Sequence, residues 1–217
     1  TTVREAIAAL TPHAERHVLR VTVTRGPGLR GLIAAGEQKP TIMASLSPLP
    51  KEFFSPRLSM NVAAVRRNET SPLSRMKALC YLDAILAMRE AVAAGHNEAL
   101  FLNFAGRVAC ACVGNVFALF GEELVTPPLD DGVTPGIIRG FLLAESHALD
   151  LATTERSLDL EELCAADAVF MTNSLRLIAP VERIGAIAIS EKGGKIVEAL
   201  QQLLWRAIAA ECGSLVA

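Results

Sequence analysis

The chain has 217 residues, of which 51% are hydrophobic and 20% are charged, and its formal net charge is -2. This composition supports a folded core in one large domain or two modest ones, and it excludes an intrinsically disordered chain. The nearly balanced charge gives no indication of a nucleic-acid partner or of an anionic membrane surface. The longest apolar stretch, residues 108–120, is too short to span a bilayer.

The five cysteines do not have the even number and regular spacing of a disulfide framework. We therefore expect a reducing, cytoplasmic location. Cys110 and Cys112 would share one face of a strand, but no histidine or second cysteine pair lies nearby in the sequence. So bare a spacing does not form a zinc motif, and we expect no metal site.

The first third of the chain reads as a short α/β region. Helical spacing of apolar residues predicts a helix over 2–10, and alternation predicts a strand over 17–24 that ends in a turn at 25–28. Further strands are predicted at 41–46 and 60–65. The polar stretch 66–74, which contains Pro72, indicates a linker.

The rest of the chain mixes helices with antiparallel hairpins. Helices are predicted over 76–94, 136–148, 157–163 and 193–210. Hairpins are predicted from strands 99–103 and 107–113 and from strands 115–120 and 123–126, with a further strand at 168–172. Because strands and helices do not alternate regularly, the pattern predicts a mixed α/β fold and not a doubly wound parallel sheet.

Four groups of segments, in this order, carry a resemblance to a known family. They are RVTVTRG at 20–26; MKALCYL at 76–82; GRVAC at 106–110 with NVF at 115–117 and TPPL at 126–129; and GIIR at 136–139 with ADAVFMTNS at 166–174 and PV at 180–181. Together they resemble the class IV aminotransferases, a family that includes branched-chain and D-amino-acid aminotransferases and aminodeoxychorismate lyase. The match covers about residues 18–184.

The resemblance implies a fold-type IV enzyme that uses pyridoxal 5'-phosphate and acts on a small amino-acid or keto-acid substrate. The expected architecture is a truncated small N-terminal α/β domain over 1–68, a linker over 69–74, and a larger C-terminal domain over 75–217. That larger domain would contain a mixed sheet or barrel with flanking helices. Family members are homodimers with active sites near the subunit interface, so we expect a homodimer.

Lys77 matches the family's catalytic lysine, which binds the cofactor through a Schiff base. A Schiff-base lysine needs a neutral amine, and desolvation or nearby positive potential favours that form. We predict Lys77 at the start of the helix over 76–94, where the helix dipole disfavours a cation. Tyr81, four residues on, would then lie on the same helical face.

The same resemblance implies the cofactor contacts, and position next to the proposed cofactor segments suggests the substrate contacts. The backbone amides of Ile137 and Ile138, at the start of a helix, would bind the cofactor phosphate together with the Ser174 hydroxyl. The family more often has threonine at the position of Ile138, so the backbone contact is kept and a hydroxyl contact is lost. Arg176, and with weaker support Arg107, could bind a substrate carboxylate.

Two features depart from the family. Cys110 stands where the family has a glutamate that pairs with the pyridine nitrogen of the cofactor and makes its ring an electron sink. A neutral thiol cannot replace that charge, so Cys110 predicts slower transamination, a different reaction, or no activity. In addition, the family's small domain begins some tens of residues before the segment at 20–26, and it supplies an arginine that binds the phosphate.

We therefore expect an aminotransferase that moves an amino group between an amino acid and a 2-keto acid through Lys77. One alternative is aminodeoxychorismate lyase, which eliminates pyruvate with the same cofactor; TNSL at 172–175 leans towards it. A second alternative, motivated by Cys110, is a non-catalytic relative that keeps the fold and the dimer. A soluble α/β domain of unrelated function remains only if the order of the segments is chance.

Overall fold

A computed structural model describes residues 2–11, 16–28, 31–33, 36–49 and 57–213. The chain forms two compact units, Thr1–Phe53 and Phe54–Ala217. Residues 57–74 belong to the larger unit, so the compact units divide earlier in the chain than the family-based domain boundary near residue 68. That boundary stays a prediction.

The described residues of the smaller unit form one short helix and a two-stranded antiparallel sheet. Helix α1 (Val3–Ala8) begins at Thr2, whose side chain accepts from the amide of Glu5 while the Glu5 carboxylate accepts from the amide of Thr2. Strands β1 (His17–Thr24) and β2 (Thr41–Pro48) pair along their full length. The prediction for β1 is confirmed, and β2 extends two residues beyond its predicted end.

The larger unit is built on one mixed sheet of nine strands. The strands are β3 (Leu58–Val62), β4 (Glu98–Leu102), β5 (Val108–Ala111), β6 (Asn115–Phe120), β7 (Glu123–Thr126), β8 (Ala152–Glu155), β9 (Ala168–Asn173), β10 (Leu177–Ile184) and β11 (Ile187–Ala188). Their order across the sheet is β5-β4-β3-β10-β9-β6-β7-β8, with β11 paired to β10. Parallel pairs join β3 to β4 and β10, and β7 to β8. The remaining pairs are antiparallel, so the predicted mixed α/β fold is confirmed.

Four α-helices accompany this sheet: α2 (Leu82–Ala93), α3 (Ile137–Glu145), α4 (Leu160–Cys164) and α5 (Gly194–Cys212). Short 3-10 turns lie at Pro72–Arg75, Leu129–Asp131 and Ser146–Leu149. Among the described residues, no helix is long and apolar enough to cross a membrane.

The core lies on both faces of the sheet, because successive side chains of the central strands point to opposite faces and are buried on both. On one face, Phe117 of β6 stacks on Phe170 of β9, with ring centroids 5.2 Å apart, and α3 and α5 pack over them. On the other face, Leu58, Met60 and Met171 form a second cluster. A third cluster joins the inner side of α2 to β4 and β5, and it includes Cys110 of β5 and Cys112 just after that strand.

Two helices begin at least three residues later than predicted, and three strands have no predicted counterpart, for identifiable reasons. The helix predicted over 76–94 begins at Leu82, because residues 76–81 form a loop. The helix predicted over 157–163 is α4, capped by the Asp159 carboxylate and not by Ser157. Strands β8, β10 and β11 were not predicted: β8 contains no large apolar residue, and Pro180 interrupts the apolar pattern of β10.

Candidate active site

Lys77 lies in the loop between the 3-10 turn Pro72–Arg75 and α2, and its side chain is exposed. Because α2 begins at Leu82, the prediction that Lys77 is a first-turn helical residue is wrong, and the helix-dipole argument for it does not apply. The Lys77 Nζ nevertheless donates to the Tyr81 hydroxyl at 2.7 Å. Loop geometry, and not a shared helical face, brings the two side chains together.

The lysine loop, residues 76–81, is anchored on both sides. Before it, the carbonyl of the buried Ser74 accepts hydrogen bonds from Arg67 Nη2 at 2.8 Å and Thr134 Oγ1 at 3.1 Å. After it, the Ala84 carbonyl in the first turn of α2 accepts from the Cys112 thiol at 3.4 Å. The loop therefore runs between two fixed points, and the second of them is tied to the end of β5.

Cys110 lies on β5, within the cluster that faces α2, and is buried. Burial raises the pKa of the Cys110 thiol to about 11, with a smaller opposing effect of Arg67. Burial, together with the nearby carboxylate of Glu98, raises the pKa of Cys112 to about 12. At neutral pH, neither thiol carries the negative charge that a glutamate on this strand would provide.

Gly136 is the N-cap residue of helix α3, and the first two helical residues, Ile137 and Ile138, are the predicted phosphate ligands. Ile137 is 79% exposed, whereas Ile138 is buried. The Asn115 side chain packs directly on Gly136, since a Cβ there would lie 2.1 Å from Asn115 Oδ1. Asn115 Nδ2 also donates to the Thr134 carbonyl at 2.8 Å. The first-turn amides of α3 have no acceptor within the helix, so the start of α3 offers donors to an anion.

Ser174 is exposed in the tight turn that joins β9 to β10. Asn173 builds this turn by accepting from the amides of Leu175 at 2.9 Å and Arg176 at 2.7 Å. Asn173 Nδ2 donates to the Val113 carbonyl at 3.2 Å. The turn that carries Ser174 is thus attached to the connection between β5 and β6.

Arg176 pairs with a buried carboxylate in the protein interior. Its side chain is 16% exposed, and Nη1 lies 3.9 Å from Oε2 of Glu98, which is fully buried. Glu98 Oε1 accepts from the amides of Ala99 and Cys112. Burial raises the pKa of Glu98, because at 3.9 Å the attraction of Arg176 does not offset the desolvation of the carboxylate.

Arg107 is exposed at the start of β5, and its amide donates to Asn103 Oδ1 at 2.9 Å. Within the described part of the chain its side chain makes no hydrogen bond or ion pair. Substrate binding by Arg107 and by Arg176 stays a prediction. Arg176 also forms the ion pair with the buried Glu98.

Residues 1–184 match the family model described as amino-transferase class IV. The chain belongs to this family.

Relatives within class IV include a lyase and aminotransferases. The chain is 30% identical over 185 residues to aminodeoxychorismate lyase of Bacillus subtilis, covering 85% of this chain and 63% of the relative. The structure of 4-amino-4-deoxychorismate lyase from Pseudomonas aeruginosa is 29% identical with a TM-score of 0.78, covering 87% and 70%. A branched-chain amino acid aminotransferase from Thermobaculum terrenum, solved in its PLP form, is 26% identical with a TM-score of 0.75, covering 84% and 61%.

These comparisons confirm the family resemblance and the fold-type IV architecture. The chain spans less than two thirds of the length of the Bacillus subtilis relative.

The predicted class IV site residues lie on elements that meet at the β5–β6 connection, residues 112–114. The connection contacts α2 through the Cys112 thiol and the Ser174 turn through the Val113 carbonyl. It leads directly into Asn115, which packs against the start of α3. The connection therefore joins the first turn of α2, β5, the start of α3 and the Ser174 turn, while Ser74, just before the lysine loop, is bound by Thr134 on the approach to α3.

Sequence reasoning missed three residues that organise this site, namely Arg67, Glu98 and Asn115. Glu98 gave the clearest signal, since it stands at the head of the strongly apolar run ALFL, where a charged residue needs a partner inside the protein. Asn115 opens the NVF segment of the family resemblance, but that segment indicates no role for it. Nothing in the sequence around Arg67 distinguishes it from the neighbouring Arg66.

Proposed function

We propose that this protein uses pyridoxal 5'-phosphate, held at Lys77, to move an amino group between an amino acid and a 2-keto acid. One observation carries the proposal. The exposed Lys77 amine is held by the Tyr81 hydroxyl, in a loop whose anchor at Ser74 is tied through Thr134 to the approach to α3. An amine and an anion-binding helix start are the two features that an aldehyde with a phosphate group requires.

The donor set fits this cofactor at two of three positions. Lys77 offers an accessible amine, and the start of α3 together with the Ser174 hydroxyl offers neutral donors for a phosphate. At the position of the pyridine nitrogen, the neutral Cys110 thiol offers no charge. The residues therefore suit cofactor binding. The neutral thiol, however, gives little support to the stabilisation of negative charge at the substrate Cα that transamination requires.

The residues of this chain would divide the work as follows. The amides of Ile137 and Ile138 and the Ser174 hydroxyl would bind the phosphate, and Arg176 or Arg107 would meet a substrate carboxylate. When bound, the cofactor would supply an electron-withdrawing ring that stabilises negative charge at the substrate Cα. Lys77 Nζ would accept the Cα proton and return it, with the Tyr81 hydroxyl orienting the amine.

The decisive experiment is to incubate the protein with pyridoxal phosphate, record the visible spectrum, reduce with borohydride and map the modified peptide. We expect a saturable yellow species and an adduct on Lys77. Lys77→Gln should lose both, whereas the control Lys195→Gln, which changes an exposed lysine of α5, should keep them. No saturable band, or adducts spread over surface lysines, would contradict the proposal and favour the non-catalytic relative.

Aminodeoxychorismate lyase activity is the second candidate, and Cys110 is the observation that favours it. Amino transfer depends on strong stabilisation of negative charge at Cα, and the neutral thiol weakens that stabilisation. An elimination that releases pyruvate and forms an aromatic ring gains driving force from its own product. Assays separate the two: amino transfer requires a keto-acid acceptor, whereas the lyase releases pyruvate without one.

We also propose a homodimer and a cytoplasmic location. The outer face of α2 and the lysine loop expose several large apolar side chains, which supports burial against a second copy. They are Leu79, Leu82, Ile85 and Leu86. All five cysteines are free, which suits a reducing compartment.

A further inference from the structure

The backbone of Arg67 is bound to the end of strand β4. Its amide donates to the Leu102 carbonyl at 2.9 Å, and it forms an isolated parallel bridge with Asn103. Both partners are buried residues at the end of β4. The base of the Arg67 side chain is therefore held by the sheet.

The guanidinium of Arg67 joins two separate loops. Nη2 donates to the Ser74 carbonyl at 2.8 Å, three residues before Lys77 in the chain, and Nε donates to the Gly132 carbonyl at 3.0 Å, four residues before Gly136. A planar guanidinium can hold two acceptors in a fixed relation, which a lysine ammonium cannot do. One side chain thus sets the spacing between the lysine loop and the approach to α3.

Two further features make this junction tight. Gly132 has a φ of +85°, and a Cβ there would lie 3.1 Å from Arg67 Cγ, so the arginine packs directly against the glycine. Thr134 Oγ1 donates to the same Ser74 carbonyl that Arg67 binds. The Ser74 carbonyl oxygen, just before the lysine loop, thus accepts from two donors, Arg67 and Thr134. These bonds connect the lysine loop to the loop before α3.

We infer that Arg67 is a positioning residue, which holds the Lys77 loop in register with the start of α3. The structural part of this inference concerns only the contacts of this chain. Its functional part rests on the proposed function, because it assigns the amine and the phosphate of one cofactor to the two segments that Arg67 joins.

The structural part is tested by hydrogen–deuterium exchange of the cofactor-free, full-length protein. Arg67→Gln should speed exchange about tenfold in both segments 72–81 and 133–142, because it removes charge-assisted bonds to two carbonyls. Exchange in β6 and β9 should not change. The matched control Arg66→Gln alters an exposed neighbouring arginine and should leave all segments as in the parent.

The functional part is tested by comparing the apparent Kd for pyridoxal phosphate with that for pyridoxal, which lacks the phosphate. If Arg67 sets the spacing between amine and phosphate, Arg67→Gln should reduce the preference for the phosphorylated form roughly fivefold. Arg67→Lys should recover part of that preference, because it keeps the charge and one of the two bonds. A general loss of stability would weaken the binding of both ligands equally and leave the ratio of their Kd values unchanged.

The possible outcomes separate this inference from the proposed function. Unchanged exchange in the two segments, or faster exchange spread over β6 and β9, overturns the positioning role. If the parent protein binds no pyridoxal phosphate but exchange responds as expected, the proposed function fails and the positioning role stands. If Arg67→Gln does not fold, Arg67→Lys decides through the same two measurements.

Discussion

The thiols of Cys110 and Cys112 are titrating groups that the folded protein keeps protonated. An unburied cysteine ionises near pH 9.0, whereas burial holds the pKa of Cys110 at about 11. Between these two pH values the folded state binds more protons than the unfolded state, so the free energy of unfolding falls as pH rises. Each such thiol contributes a slope of at most about 1.4 kcal/mol per pH unit.

We predict that Cys110→Ala makes the loss of stability between pH 9 and pH 11 less steep than in the parent. Urea unfolding at several pH values measures the slope. Cys80→Ala is the control, because Cys80 is exposed and its replacement should leave the slope as it is. Equal slopes for the parent and Cys110→Ala would show that the thiol ionises as readily in the folded protein as in the unfolded chain.

Cys110 also determines how much negative charge faces the proposed pyridine-nitrogen position. We predict that Cys110→Glu raises the rate of keto-acid-dependent amino transfer about tenfold, because a carboxylate would favour the protonated, electron-withdrawing ring. Arg67 would favour ionisation of the new carboxyl, and Glu98 would oppose it, as each does for the thiol. Cys110→Ser, which stays neutral, should not change the rate. A rate that fell in Cys110→Glu would argue for the lyase candidate.

Glu98 and Arg176 join the start of β4 to the β9–β10 turn. Removing the arginine would leave a buried carboxylate without its cation, and for a pair at 3.9 Å we predict that Arg176→Met costs about 2 kcal/mol of stability at pH 8. The cost should be smaller at pH 5 than at pH 8, because burial raises the pKa of Glu98 and loss of the arginine raises it further, which favours the neutral acid as the pH falls. Urea unfolding at both pH values measures this difference.

The double variant Glu98→Gln/Arg176→Met should recover most of the stability lost in Arg176→Met, because the amide stays neutral and its oxygen can still accept from Cys112. Arg107→Met is the matched control, since that arginine is exposed, and it should change stability by less than about 0.5 kcal/mol. A cost for Arg176→Met that is the same at both pH values would mean that Glu98 does not respond to its partner.

The local sequence pattern correctly predicted the elements in which apolar residues alternate clearly or which are bounded by clear turn residues. The β6–β7 hairpin was predicted at its observed bounds, because apolar strands flank Gly121. The start of α2 was not, because the apolar spacing of α2 continues back through Leu79 into a loop without a capping residue. The pairing of β3 with β10 was beyond local reasoning, since it joins segments from opposite ends of the larger unit.

At the scale of the whole molecule, the exposed apolar face of α2 predicts association. Leu82 is 66% exposed and Ile85 54% exposed, on consecutive turns of one helix. We expect the parent protein to be a dimer by light scattering after size exclusion, and Leu82→Glu/Ile85→Glu to be a monomer. Charges buried without partners at an interface oppose association.

Ile187→Glu serves as the control, since Ile187 is 53% exposed on the short strand β11 and should leave the dimer intact. A parent protein that is monomeric at micromolar concentration would contradict the proposed homodimer. Unchanged association of the α2 variant would place the interface elsewhere on the surface.

The family motifs supplied the predicted site residues other than Arg176, yet the way in which those residues are held did not follow from the motifs. Lys77, Cys110, Ile137 and Ser174 are far apart in sequence, and hydrogen bonds to backbone carbonyls bring their segments together. Donors such as Arg67 and Asn115 act on carbonyls, which every residue has. A sequence therefore carries no mark of which carbonyl they bind.

The central place of β3 in the sheet has a consequence for synthesis on the ribosome. This strand opens the larger unit, and one of its two neighbours is β10, which is translated only after the lysine loop, β5 and α3. Chains are synthesised from the N-terminal end at about 5–20 residues per second, so several seconds pass between the synthesis of β3 and that of β10. Until β10 has emerged, one edge of β3 stays unpaired and open to chaperones, and the lysine loop that follows β3 has no completed sheet to rest on.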